Sequence, residues 1–298
     1  MRRLRRILSV TVLTSLLALT RVSIAEHPVD VQKLSAEGEH FKALEMYERL
    51  PDRRLADDTH IAAAKSAWAL GLTKRASDIF DSVLRGSSID NDERARLTFS
   101  RGIIEFQEGR YQEAALFAEK AASHLPEKSP LRGRILLLLG QSLFKAQSYA
   151  TAEEKLWRAL AESAPEDRPD VSLSLGMTQM KLGKLSDAER ALKSIPTDHQ
   201  NAPEAIRMLA DISLQNNNGD RARFWIDKGK ADYSESFLDS WTDYGLTAAA
   251  LKSGDVERAR KTNQDATRRL PPSDPWLIIT QASLEQAEWA RIDKSKKE

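Results

Sequence analysis

No cysteine occurs in the 298 residues. That excludes disulfide staples, thiolate ligands, thiol nucleophiles and a cysteine-linked lipid anchor. Aromatic residues are few, at 6%, and no run alternates in the valine- and threonine-rich manner of a strand, which points to an all-α chain. Catalytic signatures are missing as well. The five histidines, His27, His40, His60, His124 and His199, are scattered without metal-ligand spacing, and no HExxH, P-loop, GxGxxG or GxSxG arrangement is present. Carboxylate pairs such as Asp57-Asp58 and Glu153-Glu154 read as solvated helix faces in a chain that is 30% charged. The expectation is therefore a protein that is not an enzyme, with no metal and no cofactor.

The two signs of charge are nearly balanced, and a marked excess of one stands at the start. Formal net charge is +1, but residues 1–25 hold five arginines and no acid, so the remainder sits near 1 − 5 = −4. Phosphate binding needs a concentrated basic face, so no nucleic acid is expected as a partner. Residues 1–25 read as a signal peptide: Arg2, Arg3, Arg5 and Arg6 precede an apolar stretch from Ile7 to Thr20, and Ser23 and Ala25 flank a cleavage point before Glu26. The stretch is too short to span a bilayer comfortably. Export to the periplasm or beyond follows, with no stable membrane insertion after cleavage. A retained anchor or a mitochondrial presequence is the alternative reading of the same residues.

What the chain has in abundance is repetition. A small residue followed four positions later by a core residue recurs at Ala43, Ala76, Ala114, Ala152, Ala188, Ala222 and Ala259, at intervals of 33, 38, 38, 36, 34 and 37 residues. Five residues before each alanine stands Gly38, Gly71, Gly109, Gln147, Gly183, Asn217 or Gly254. Glycine there suits a left-handed helix end; asparagine tolerates one and glutamine does so less well. All eleven prolines fall outside the proposed helix interiors, with Pro130, Pro169, Pro203 and Pro275 where a helix is about to start. The stretch from Ala95 to Pro126 is the best-formed unit, too small to bury its own apolar face.

These marks, with the pairs Leu139-Gly140 and Leu175-Gly176 and the closing Pro126 and Pro271, resemble the tetratricopeptide repeat, whose period is about 34 residues. The large aromatic that the family carries early in the first helix is replaced by Thr98, Leu136 and Ser172. The resemblance implies a right-handed α-solenoid of about seven helix pairs over residues 26–272. Residues 273–298 would add a capping helix and a charged tail, with Trp276, Ile279, Leu284 and Ala287 over the open end and Gln281, Glu285 and Glu288 toward water.

In proteins of this kind, the first helices of successive repeats line a concave surface that holds a segment of a partner protein. Three residues before each turn stand Trp68, Phe106, Phe144, Met180, Leu214 and Leu251; the slots six and ten before it add Ile103, Gln141 and Met177, then Phe99, Leu137 and Leu173. The candidate partner-binding residues are Trp68, Phe99, Ile103, Phe106, Phe144, Met177 and Met180, with Arg96, Arg134, Lys145 and Lys181 as a charged rim. The competing reading is that these side chains pack between neighbouring first helices. The lysine and asparagine clamp with which some members grip a C-terminal carboxylate is not recognisable, so an apolar groove for a helix or an aromatic-bearing peptide is expected. The function implied is a scaffold in an envelope assembly, secretion or polysaccharide-export system. An anchored or organellar assembly factor is the alternative, and an enzyme on a helical-repeat scaffold the least favoured.

Overall fold

Among the described residues, seven hold the backbone in the left-handed region between helices, and they are the seven expected from the sequence: Gly38, Gly71, Gly109, Gly183 and Gly254 at φ of 71° to 79°, Gln147 at 63° and Asn217 at 55°. The computed structural model describes residues 28–51, 55–86 and 88–295; the leader and its cleavage point lie outside the described residues. At each turn two backbone hydrogen bonds close the preceding helix. The Gly109 N–H donates to the Phe106 carbonyl at 3.1 Å and the Arg110 N–H to the Glu105 carbonyl at 2.9 Å, a pairing repeated by Gln147 and Ser148 and by Asn217 and Asn218.

The turns pair α1 (Pro28–Ala36) with α2 (His40–Arg49), α3 (Asp57–Ala69) with α4 (Thr73–Arg85), α5 (Asn91–Gln107) with α6 (Tyr111–Ser123) and α7 (Pro130–Lys145) with α8 (Tyr149–Glu162). They go on to pair α9 (Arg168–Lys181) with α10 (Leu185–Lys193), α11 (Ala202–Gln215) with α12 (Gly219–Asp232) and α13 (Ser240–Lys252) with α14 (Val256–Arg269), before a single last helix, α15 (Pro275–Ser295). The fold is an all-α helical repeat, and no strand occurs among the described residues. Pro28, Pro130 and Pro275 open their helices and Pro169 and Pro203 hold the second position, where the missing N–H costs nothing.

The chain divides into two units, at Ile79 and Phe80. In the first, α1, α2 and α3 pack on one another. Alanines make this possible: Ala62, Ala63, Ala64 and Ala67 are buried, and the Ser35 hydroxyl donates to the Ala62 carbonyl at 3.1 Å. In the second unit each helix packs on the next, and every odd-numbered helix from α5 to α15 also touches the following odd-numbered one. Contacts between successive even-numbered helices are slight or absent, so the odd-numbered helices share one side. Ala114, Ala152, Ala188, Ala222 and Ala259 are fully buried, as are Leu156 and Ile226 four residues on. The small residue lets the second helix approach the first, and the branched one fills the joint.

Two details differ from the sequence reading. The joint after α12 forms a short 3-10 turn, Ser234–Phe237, which buries Phe237 against Gly229. In α15 the buried face is Leu277, Thr280 and Leu284, whereas Ile279 is 46% exposed and Glu288 pairs with Arg260 of α14 at 2.8 Å. The start of the helix explains the rotation: Asp274 Oδ1 accepts the Trp276 and Leu277 N–H groups, which sets Leu277 toward the stack.

Candidate partner-binding surface on the odd-numbered helices

Because the turn is identical from pair to pair, counting back from it locates equivalent positions. Between α5, α7 and α9 the slots three and six residues before the turn converge. Phe106, Gln141, Phe144, Lys145, Ser174 and Met177 line a depression of about 200 Å³, room for one large apolar side chain. Two of its polar groups are already engaged: the Gln141 amide donates to Ser174 Oγ at 3.0 Å, and Ser174 Oγ donates to the Asp170 carbonyl at 3.1 Å. What remains open is two phenyl rings, a thioether and, at the edge, the Lys145 ammonium.

The rings are held. Phe106 meets Tyr111 edge-on at 5.3 Å and Phe144 meets Tyr149 edge-on at 5.4 Å, the tyrosine in each case being the first residue of the following helix. Both phenylalanines are half-buried, each ring meeting its tyrosine and also lining the depression.

The remaining candidates separate. Phe99 and Ile103 are half-buried against the core that α5 to α9 share. Met177 and Met180 both pack against the next cluster, but Met180 does not line the depression. Trp68 belongs to the first unit, where it is half-buried. Of the expected rim, only Lys145 lines the depression; Arg96 pairs with Asp92 one turn back at 2.9 Å, and Arg134 and Lys181 are exposed elsewhere on their helices. A continuous stripe thus reduces to one recess around Phe106, Phe144 and Met177.

One position with an unusual environment lay outside the candidates. In the slot six before the turn, α11 carries Asp211, one helix beyond Met177. Burial pushes its carboxyl up to about 6, Glu204 adds to the rise and Arg207 opposes it. Counting the same slot one pair further along the chain would have found it.

Among the described residues, no group of three or more histidine, aspartate or glutamate side chains could hold a metal ion, and no helix is long and apolar enough to cross a membrane. Models of the tetratricopeptide repeat match residues 61–128 and 143–212. This chain is a tetratricopeptide-repeat protein. No curated protein matches it. Among solved structures it is similar to PilW, described as a widely conserved type IV pilus biogenesis factor, at 16% identity over 76% of this chain and 98% of that one, with a TM-score of 0.62. It is also similar to PilF of Pseudomonas aeruginosa, at 18% identity over 76% and 97% with a TM-score of 0.59, and to the apo form of RapI, at 13% over 80% and 72% with a TM-score of 0.64. At such identities the likeness establishes the helical-repeat fold alone. Tetratricopeptide-repeat proteins are scaffolds for protein interaction, and the family is generally not catalytic.

Proposed function

We propose that this protein is an exported scaffold that holds a segment of another protein along the odd-numbered helices of its second unit. The recess around Phe106, Phe144 and Met177 carries the reading. It is largely apolar, has Gln141 and Ser174 engaged with each other and is sized for a side chain, which suits an anchor residue of a peptide or helix better than a reacting small molecule. The arginine-rich leader and its cleavage point before Glu26 support export to the periplasm. An assembly role in the cell envelope fits that address, and PilW and PilF offer an analogy of fold for it.

Photocrosslinking in the native host tests the site. With benzoylphenylalanine in place of Phe144, a discrete protein adduct is expected, lost when Met177→Asp is added; the same probe in place of Trp157, half exposed on α8, should give none. An absence of adduct at Phe144, or equal adducts at both positions, overturns the groove. Intact-mass measurement tests the address separately: the expected chain begins at Glu26, and a full-length chain in the membrane fraction would replace export with anchoring.

A further inference from the structure

Along the slot six residues before each turn, the second unit reads Ile103, Gln141, Met177, Asp211 and Ala248. The apolar row is interrupted by one carboxylate. Asp211 is half-buried, and no hydrogen bond or ion pair joins it to another described residue. The cation that acts on it is committed elsewhere: Arg207 pairs with Asp239 at 3.0 Å, donates to the Ser236 carbonyl, and lies over the Phe237 and Trp241 rings at 4.8 and 4.6 Å. On the other side stands Tyr244 of α13, whose hydroxyl is pushed up by burial and by the Asp211 charge, and whose ring packs on Trp276 at 4.8 Å. Keeping a partly desolvated carboxylate charged is costly unless it is paired, and no described residue pairs with it.

We propose that Asp211 is the seat for a lysine or arginine side chain of the bound segment, one whose apolar residue fills the Phe106, Phe144 and Met177 recess. This rests on the groove reading above and adds the partner's charge to it. A cation from outside would neutralise the half-buried carboxylate, while Tyr244 and Trp276 offer ring surface to its aliphatic stem or its charge. Neighbouring helix axes lie roughly 8–10 Å apart, so the α7–α9 side of the recess and the carboxylate on α11 are separated by on the order of 10–15 Å. An extended chain covers that in about three to five residues.

Panning a library of short random peptides at neutral pH tests this, with the exported chain, its Asp211→Asn variant and its Met177→Asp variant as baits. Peptides enriched on the unaltered chain should carry a large apolar residue and, about three to five positions away, lysine or arginine. On Asp211→Asn the basic preference should vanish while the apolar one persists. For one synthetic peptide from the enriched set, affinity should fall about tenfold on Asp211→Asn or when norleucine replaces its basic residue, and the two changes together should cost no more than one. The norleucine comparison is read on the unaltered chain, so it does not depend on how the variant folds. A basic preference that survives Asp211→Asn, or an affinity indifferent to norleucine, overturns the charge assignment and leaves the recess standing. If nothing is enriched on any bait, or enrichment is indifferent to Met177→Asp, the groove itself falls and the assignment with it.

Discussion

Gly140 of α7 faces Leu156 of α8 so closely that a Cβ built on it would lie 2.5 Å from Leu156 Cγ. One pair further on, Gly176 and Leu192 repeat the relationship at 2.7 Å. The glycine of each leucine-glycine pair is thus a notch for the branched core residue of the second helix, which explains why a residue unfavourable in a helix interior recurs there. Gly140→Ala should lower stability by about 1–3 kcal/mol, because overfilling a fully buried contact outweighs the roughly 1 kcal/mol of helix propensity that alanine gains. Combined with Leu156→Ala, the two losses should add to less than their sum, since the second change vacates the space the first needs. Denaturant midpoints of the four proteins check both statements.

Gln147 occupies, at φ 63°, the turn position that glycine fills in five other pairs. A side chain with Cβ is strained in that region, by roughly 1–2 kcal/mol, and at the glycine turns a Cβ would meet nothing within 4 Å, so the strain lies in the backbone and not in packing. Gln147→Gly should therefore stabilise the protein by about 1 kcal/mol, less the added entropy of the unfolded chain. Asn217→Gly should gain less, since asparagine tolerates the conformation. Thermal melting that falls for both variants would contradict this account of the turn.

The Asp211 carboxyl is held at about 6, above its ordinary 3.8, by burial first and by Glu204 second, against the pull of Arg207. A folded value raised in this way contributes stability that is present below about pH 4 and is lost as pH rises through about 6. Asp211→Asn removes that loss. The variant should be more stable than the parent by about 1–3 kcal/mol at pH 7, and the difference should shrink to nothing toward pH 4. Melting curves of both proteins across that range test the sign directly, because other titrations cancel in the difference.

Glu105 behaves in the opposite sense. Burial pushes its carboxyl up, but hydrogen bonds from Arg110 and Arg101, with their charges, hold it below the ordinary value. Arg101 bridges Glu105 at 2.8 Å and Asp81 at 2.8 Å, so one buried guanidinium ties α5 to the end of α4 within the second unit. A lowered value contributes stability that is present above the ordinary value of 4.5 and is lost as pH falls through the folded one. Glu105→Gln should cost about 2–4 kcal/mol at neutral pH, where it leaves Arg101 and Arg110 short of a charge partner, and progressively less in acid. An unchanged melting temperature at neutral pH would mean that Asp81 alone satisfies Arg101.

Repetition made most of the fold legible from residues alone. A turn glycine, an alanine five residues on and a proline outside the helices are local requirements of backbone conformation, so they survive in sequence wherever the turn does. Even the two non-glycine turns were readable, because Gln147 and Asn217 stand in phase with the glycines and adopt the same φ. The rotation of α15 was not legible, since a single capping contact from Asp274 sets which side of an evenly apolar helix meets the stack. The candidate surface divides along the same line. That large apolar residues recur three positions before the turn is a property of the chain. That Phe106, Phe144 and Met177 leave a recess which Met180 does not line depends on how three helices meet. Asp211 shows the limit most clearly: in sequence it is one acid among 44 acidic residues, and only burial without a partner, decided by Arg207 turning to Asp239 and by Tyr244 from the next pair, makes it different from the rest. Local conformation is written in short windows of the chain, whereas the pairing of a charge depends on every helix that could have reached it.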